Sequence, residues 1–533
     1  MASDRTTSAS PGLPYAIAQV TPLAATAVVL LDTATDFFPD DPLFAVVTPL
    51  RLALFAGVAA LLIPVRGLSR PRLGDFRTRL DLPIALLLFA SVATTYVGGH
   101  PTSPLRGLLT AVACYYLIVG LRRSRPESWR SIGLLVLVAV TAASTSAFSQ
   151  VTNQTPTGFC RTGFLTDVSC DAGAPGTLIR AIGTFSNPNL LAVFLVLLIP
   201  FTLLAAVSVD ERSARITVAC AAVIAYGAVL TTFSRAVYVA AAAGLLVLGT
   251  AYWLAPRIVD RAQRRLVGTL GLVCLTAGAA VIWAVSRAGN SLGVRGQAWE
   301  AALGLAADHP LGVGLSRAGA AVSAAAPGDR VFAHSHNLWL NWLVETGPLG
   351  LLALVLVTVI AWTSAARAAR EKSVIGTAGL AALTGFFLMG MMDHPANLDR
   401  IEILFWLVLG LVMAEAPASW RSSEPAPPRT VRPRHGPHHR KPVPVPVPAP
   451  GPAPSPAPSP AVSSSWPDSR AARRRLRRGA VAHMTTPTTD STTAPPTTAT
   501  PPPVTRKITM SSHQDGSSAM PLPVCDYLPR RTA

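Results

Sequence analysis

The chain is poor in charged residues and contains almost no lysine. Only 14% of its 533 residues are charged, and the only lysines among its 45 basic residues are Lys372, Lys441 and Lys507. Soluble globular proteins carry about 25% charged residues. Half of this chain is apolar, and its mean hydropathy is +0.42. The composition therefore excludes a soluble multidomain protein and indicates a membrane protein.

Nucleotide-binding and metal-binding motifs are also missing. The sequence contains neither of the two common glycine-rich nucleotide loops, so we expect no cofactor and no use of cytoplasmic ATP by this chain. His334 and His336 lie two residues apart, but no third metal ligand is evident, because Asp393 and His394 belong to another loop. We therefore expect no metal site.

Apolar runs predict about twelve transmembrane helices, and hence an all-α polytopic membrane protein. The predicted spans are residues 15–32, 43–65, 82–98, 104–121, 131–148, 188–208, 214–232, 235–254, 266–286, 338–365, 374–392 and 400–416. The chain is thus expected to consist of a short N-terminal segment (1–14), a membrane domain (15–416) and a tail (417–533).

The basic residues are unevenly distributed between the predicted loops. Short loops on one side hold 18 basic residues, against 9 in the longer loops of the other side. Positive charge is retained in the cytoplasm, so both termini are predicted to be cytoplasmic and the long loops 149–187 and 287–337 external. Nucleic-acid binding is the weaker interpretation of this basicity. Cys160 and Cys170 share the first external loop, where an oxidising compartment favours a disulfide between them.

The tail differs in composition from the rest of the chain. It contains a run with alternating prolines at 441–450 and a basic cluster at 470–478. Such a sequence buries too little apolar surface to fold, so we expect a disordered cytoplasmic tail. The alternative is that the basic cluster binds anionic lipid of the inner leaflet.

The most informative stretch is the one in which a polar loop passes into the tenth apolar run. His334 and His336 come first, and Asn337, Asn341 and Glu345 then follow at intervals of four residues, on one helical face. Polar side chains at the edge of hydrocarbon need polar partners or a watery cavity. One interpretation is a helix cap with interhelical hydrogen bonds, and the other is a catalytic site.

Arginines on the same predicted side supply positive charge. Arg180 lies in the first external loop, Arg235 lies in the turn between the seventh and eighth spans, and Arg295 opens a short surface helix that stops at Pro310. A guanidinium is always charged, and its planar fork matches phosphate oxygens. The alternative for each arginine is that its side chain only reaches to the membrane interface.

Four groups of residues resemble the O-antigen ligase and O-antigen polymerase superfamily of bacterial envelope glycan enzymes. They are Gly183–Ala192, Thr232–Arg235, Arg295 with Trp299 and His309–Gly314, and His336 and Asn337 with Glu345, Gly347 and Gly350. Their order, spacing and shared predicted side make the combination fairly specific.

The resemblance implies a helical membrane glycosyltransferase of GT-C-like architecture in the bacterial plasma membrane. Such an enzyme takes a glycan from undecaprenyl pyrophosphate at the external face and transfers it to an acceptor hydroxyl, without a metal ion and with inversion. Its implied partners are the lipid-linked donor, a glycan or lipid acceptor and the membrane lipids, and no nucleic acid is expected.

The resemblance also implies roles for individual residues. Arg235 and Arg295 would hold the pyrophosphate, His336 would act as a base on the acceptor hydroxyl or orient it, and Glu345 would support the histidine. The remaining candidates for substrate binding are Arg180, His334 and Asn337.

Three alternatives to a ligase are left open by the sequence. A polysaccharide polymerase differs from a ligase only in its acceptor. A small-solute transporter is a second alternative, because Pro348 interrupts the tenth span and transporters use broken helices. The third is an inert scaffold whose tail recruits envelope enzymes.

Overall fold

The computed structural model describes residues 13–37, 47–63, 71–162, 177–251, 294–396 and 399–416, and these segments are largely helical, as predicted. The helices are α1 (Leu13–Thr35), α2 (Pro49–Leu62), α3 (Leu73–Phe76), α4 (Asp81–Val97), α5 (Ser103–Ser124), α6 (Ser128–Thr152), α7 (Pro188–Leu198), α8 (Thr202–Ser208), α9 (Arg212–Thr231), α10 (Arg235–Gly249), α11 (Val294–Asp308), α12 (Ala318–Ala325), α13 (Leu338–Arg370), α14 (Val374–Gly390) and α15 (Asp399–Glu415). A 3-10 turn joins α7 to α8, and an antiparallel hairpin pairs β1 (Cys160–Thr162) with β2 (Thr177–Ile179).

Six described helical segments are long and apolar enough to cross a membrane. They are α1, α5, α6, α7 continued through α8, α9 and α13, while α2, α4, α10 and α14 are shorter apolar helices. Each predicted span except 266–286 coincides with a described helix. Residues 266–286 and the tail lie outside the described residues, so twelve membrane crossings stays a prediction.

Small residues let the central helices approach one another closely. Helix α5 packs along α15, and a β-carbon placed on Gly410 of α15 would lie 2.9 Å from the carbonyl oxygen of Tyr115. The buried ring of Trp406 meets the Tyr115 ring edge-on, with 5.9 Å between the ring centroids. Close backbone approach through glycine is a common means of association between apolar helices. This pair forms the centre of the helix packing.

Helix α13 is interrupted at a Gly-Pro pair, just after the polar residues singled out in the sequence. Gly347 adopts φ +68°, outside the helical range, and Pro348 has no amide hydrogen to donate to the carbonyl four residues before it. The Val344 carbonyl is therefore left without its usual partner inside the helix. The interruption predicted at Pro348 is confirmed, and it places free backbone acceptors beside Glu345.

The free carbonyls of α13 hold the glycine turn at 312–314. The Val313 amide donates to the Val344 carbonyl at 2.8 Å, and the Gly314 amide donates to the Glu345 carbonyl at 3.1 Å. Buried backbone polar groups must find such partners. The break in α13 thus fixes the loop between α11 and α12 against the helix that carries Glu345.

Candidate active site

Asn337 begins helix α13 and caps it. Its side-chain oxygen accepts hydrogen bonds from the amides of Trp339 at 2.9 Å and Leu340 at 3.1 Å, which would otherwise lack partners. Its side-chain nitrogen donates to the Met391 carbonyl at 3.0 Å. His336, just before it, adopts the left-handed φ of +53°. The capping interpretation therefore holds for Asn337, and the cap sets the direction in which the two histidines enter the site.

Asp393 lies between the two histidines, although it comes from the loop after α14. Its Oδ1 atom is 3.4 Å from His334 Nε2 and 3.6 Å from His336 Nδ1. The same oxygen accepts the His394 amide at 2.9 Å, and Oδ2 accepts the side-chain amide of Asn189 at 2.8 Å. The sequence placed Asp393 in another loop, and only the return of α14 to the start of α13 brings it here.

Burial and mutual contacts set the charges of this cluster. Burial lowers the pKa of His334 to about 4; Asp393 opposes this shift, while His336 and Arg295 add to it. Burial likewise lowers the pKa of His394 to about 3. Burial alone would raise the pKa of Asp393, but its contacts with the histidines outweigh burial and hold that pKa below its ordinary value. At neutral pH the cluster therefore combines a carboxylate with neutral His334 and His394.

The two histidines differ in their access to a substrate. His334 uses both ring nitrogens within the protein, because Nδ1 accepts the His336 amide at 3.1 Å and Nε2 faces Asp393. Its side chain is 12% exposed, against 28% for His336. The Nδ1 atom of His336 faces Asp393, which leaves its Nε2 atom for a substrate. His336 is therefore the better placed of the two to exchange a proton with a bound hydroxyl.

His334, His336 and Asp393 also have the spacing of a metal site. Each offers one ligand atom, and the three atoms lie within 4.8 Å of one another. The sequence showed no third ligand for the histidine pair, and Asp393 is that candidate ligand. Two histidines and a carboxylate are a donor set that Zn²⁺ and other divalent ions accept.

Glu345 is buried one turn after Asn341 on α13. Its carboxyl group lies close to the backbone amides of Ser316 and Ala318 and to the Asn341 side chain. The Asn341 side-chain oxygen in turn accepts the Ser335 amide at 3.2 Å. Glu345 and Asn341 thus lie between the loop before α12 and the loop that carries the histidines. It lines, together with His334, a cavity of about 130 Å³.

Arg295 stands on α11, which packs against the histidine loop. The predicted surface helix is confirmed, and its Trp299 indole nitrogen donates to the His336 carbonyl at 3.3 Å. Ala298 and Ala302 are fully buried on the same helix. Arg295 is half-buried and close enough to influence the pKa of His334. The structure therefore places Arg295 near the histidine cluster, and its role in binding pyrophosphate stays a prediction.

Arg235 belongs to a second cationic group at the turn between α9 and α10. The Arg180 side chain donates to the Thr232 carbonyl at 2.9 Å, and Arg161 stacks over Phe233 with 5.4 Å to the ring centroid. Arg235 itself begins α10 and is exposed. Three arginines therefore lie at this corner, the turn 232–235. The sequence singled out Arg180 and Arg235 but not Arg161.

The segment 181–189 connects this corner to the histidine cluster. Its first residue donates from its amide to the Thr231 carbonyl at 3.0 Å, and its last, Asn189, holds Asp393. In between, Gln150 of α6 donates to the Gly183 carbonyl at 2.7 Å and accepts the Gly183 amide at 2.9 Å. Sequence reasoning missed Gln150, because a lone glutamine in an apolar helix gives no specific signal.

Only Cys160 of the disulfide predicted for the first external loop lies within the described residues. Cys160 is disulfide-bonded and buried. Cys170 lies outside the described residues, so its pairing with Cys160 stays a proposal. Cys114 and Cys220 are free thiols.

Residues 220–355 match the O-antigen ligase family. The chain carries a domain of the O-antigen ligase family. This ligase-family domain contains Arg235, Arg295, His336 and Glu345, so the resemblance read from those motifs is confirmed. No curated protein matches the chain. The family is one of membrane glycan ligases and polymerases, in agreement with the membrane-spanning helices.

Proposed function

We propose that the protein transfers a glycan from a lipid pyrophosphate donor of the undecaprenyl type to an acceptor hydroxyl at the outer face of the bacterial plasma membrane. The observation that carries this proposal is the cluster of His336, His334 and Asp393 beside Arg295. It combines a partly exposed histidine, a buried carboxylate behind it and a cation close by. A general base and a cation near the leaving pyrophosphate both accelerate the transfer of a glycan to a hydroxyl, and this cluster can supply both.

In the proposed reaction the acceptor oxygen attacks the anomeric carbon of the donor sugar. His336 takes the hydroxyl proton on Nε2, the new carbon–oxygen bond forms, and the bond from the anomeric carbon to the phosphate oxygen breaks with inversion. Lipid pyrophosphate leaves with the bonding electrons. Arg295 and Arg235 would stabilise the negative charge that builds on the departing oxygen, and Arg180 would assist at the corner near Arg235.

Asp393 supports this role for His336 from behind the ring. Its carboxylate faces Nδ1 and would stabilise the imidazolium that forms when Nε2 takes the proton. Glu345 would act at a greater distance, through Asn341, which accepts the Ser335 amide of the histidine loop, and through the nearby loop before α12. We propose the two acids as positioning residues.

The hydrogen bonds of the cluster favour a metal-independent reaction. The neutral His334 ring accepts the His336 amide on Nδ1, so its proton sits on Nε2, the nitrogen that faces Asp393. A metal ligand would have to present that nitrogen without a proton. Both oxygens of Asp393 already accept hydrogen bonds from the protein. Arg295 and Arg235 provide the positive charge that a metal ion would otherwise supply.

The external position of the site rests on the charge bias of the loops and is tested independently of activity. A cysteine introduced at exposed Arg330, in the loop before α13, should react with a membrane-impermeant thiol reagent in intact cells. A cysteine introduced at exposed Arg215 should react only after lysis. The reverse pattern would place the site in the cytoplasm and end this proposal.

Transfer itself is tested with purified protein and a lipid-linked glycan, by measuring release of lipid pyrophosphate and the product formed. His336→Ala should retain donor binding and lose turnover by about 100- to 10,000-fold. One addition per acceptor defines a ligase, whereas repeated addition defines a polymerase. Full activity of His336→Ala, or loss of wild-type activity with a chelator, would contradict the mechanism.

A further inference from the structure

A cationic cleft lies beside the loop that carries the glycine turn. This loop separates the cleft from the cavity that His334 lines. Leu315 and Ser316 line the cavity. Gly312, Val313 and Arg317 line the cleft. The other residues that line it are Gly98, His100, His309, Ala320 and Ala321, and the volume is about 550 Å³. Among the described residues that line the cleft, none is acidic. Its ionisable groups are one arginine and two histidines, so its potential favours anions.

Arg317 and His100 form a preorganised pair of donors in this cleft. The Arg317 Nη1 atom lies 2.8 Å from His100 Nδ1. A guanidinium can only donate, so Nδ1 accepts and the ring proton of His100 sits on Nε2. The remaining guanidinium hydrogens and the Nε2 hydrogen are donors that a phosphate or carboxylate can accept.

The fold holds the His100 ring in a slot made by two glycines. A β-carbon on Gly98 would lie 2.3 Å from His100 Nε2, and one on Gly314 would lie 2.4 Å from the Cδ2 atom of the ring. Gly314 also adopts φ +103°, which favours glycine. The His100 ring can therefore occupy this position only because residues 98 and 314 have no side chains.

We propose that this cleft binds an anionic group, a phosphate or a carboxylate, on the acceptor. This inference rests on the proposed function. The loop that lines the cleft is also bound to the helix of Glu345, because the Gly314 amide donates a hydrogen bond to the Glu345 carbonyl. An acceptor held by Arg317 and His100 would therefore be anchored next to the histidine cluster. The donor pyrophosphate has its own arginines, Arg235 and Arg295, outside this cleft.

Binding is tested first with inorganic phosphate, without any transfer assay. The protein used is full-length and carries Arg235→Gln and Arg295→Gln, so that the donor arginines do not contribute. Phosphate should raise its melting temperature, and adding Arg317→Gln should abolish most of that rise. Adding Arg330→Gln instead removes an exposed charge of the same loop that does not line the cleft, and should leave the rise intact. An equal response with and without Arg317→Gln would overturn the proposal, whether or not the protein transfers glycans.

Kinetics then assign the anion to the acceptor. In otherwise wild-type protein, Arg317→Gln should raise the acceptor KM about tenfold, since a hydrogen bond to a charged group is lost at a partly solvated site. The donor KM and kcat should change by less than about twofold, as should every constant of Arg330→Gln. A matching rise in the donor KM would instead assign the cleft to the donor.

A membrane phospholipid is the other source of the same chemistry, and reconstitution separates it from the acceptor. The acceptor KM should rise in Arg317→Gln equally in vesicles of phosphatidylcholine alone and in vesicles that also contain phosphatidylglycerol. If the wild-type rate requires phosphatidylglycerol and Arg317→Gln removes that requirement, the cleft binds a lipid headgroup and the acceptor proposal is wrong.

Discussion

The two ends of the helix bundle use their arginines differently. At the end where α5 finishes, Arg123 donates to the carbonyls of Asp75, Arg77 and Ala416 at 2.7–2.9 Å and to that of Met413 at 3.0 Å. Next to it, Arg122 is buried and pairs with Glu415 at 2.7 Å. Each of these guanidinium groups connects segments that are remote in sequence. They hold the helices together and leave few donors for a ligand.

The two arginines of the proposed donor site, at the opposite end, differ from Arg122 and Arg123 in this respect. Within the described part of the chain, neither Arg235 nor Arg295 makes a hydrogen bond or ion pair from its side chain. Both are at least partly exposed. The number of basic residues in each loop predicts only the side of the membrane on which an arginine lies, and it does not distinguish these arginines from one another. The structure separates those that stabilise the protein from those that are free to bind.

The largest expected difference is between Arg295→Ala and Arg123→Ala. Arg295→Ala should lower transfer by at least about 100-fold, because a stabiliser of the leaving group is lost, while the melting temperature stays unchanged. Arg123→Ala should leave several carbonyls without donors and reduce stability by about 2–4 kcal/mol. Activity assays and thermal unfolding of both variants in the same detergent measure this. A stable, inactive Arg123→Ala protein would contradict the comparison.

Arg295→Lys sharpens the same contrast. An ammonium keeps the charge but cannot form two parallel hydrogen bonds to a phosphate, so rescue should be incomplete. Complete rescue would mean that Arg295 acts only as a distant charge.

The second expected effect is that of Asp393→Asn. An amide can keep the hydrogen bond from the His394 backbone, but it cannot stabilise an imidazolium by charge. We expect kcat to fall about 100-fold, with the donor KM nearly unchanged. Asp308→Asn, an exposed acid at the end of α11, is the matched control and should behave like wild type. If both variants are equally active, Asp393 has no role in orienting His336.

The third effect tests the break in α13. Gly347→Ala forces an alanine to φ +68° and places its β-carbon 2.2 Å from the Pro310 carbonyl oxygen. The loop that carries the glycine turn must then move, and we expect about a tenfold loss of transfer and a lower melting temperature. Gly304→Ala has open space around its β-carbon within α11 and should stabilise by about 0.5–1 kcal/mol. Equal stability of the two variants would show that position 347 does not require glycine.

The fourth effect is a loss of stability on acidification. His334 and His394 have pKa values lowered to about 4 and about 3, against 6.5 in the unfolded chain. The unfolded chain therefore takes up protons below about pH 6.5 that the folded site refuses, so the stability from these residues is complete above pH 6.5 and is lost as the pH falls towards 4. Melting temperatures measured across this range should fall. His394→Gln should flatten the curve, and an unchanged slope would contradict this origin.

Local patterns predicted much of the site, whereas long-range pairing was beyond them. The Gly-Pro pair, the glycine turn at 312–314 and the histidines before Asn337 are short-range signals, and the structure keeps all of them. Asp393 approaches the histidines only because α14 returns antiparallel to α13, and Gln150 reaches Gly183 only through the packing of α6. A single sequence contains no direct measure of such contacts. The Arg317–His100 pair was hidden for the same reason.

The smallest expected effect concerns the hairpin that carries Arg161 and Arg180. Arg161 lies on β1 next to disulfide-bonded Cys160, while Arg180 directly follows β2 and is also fixed by the Thr232 carbonyl. Replacing both Cys160 and Cys170 by alanine should loosen the hairpin without removing Arg180, and so raise the donor KM about threefold with kcat unchanged. A non-reducing peptide map should show the two cysteines linked in wild type, and Cys220→Ala, at an exposed free thiol, is the control. If both cysteines are free, the predicted disulfide is wrong. If the disulfide exists but the donor KM does not change, the arginines of this hairpin stabilise the fold, as Arg123 does, and do not bind the donor as proposed for Arg295.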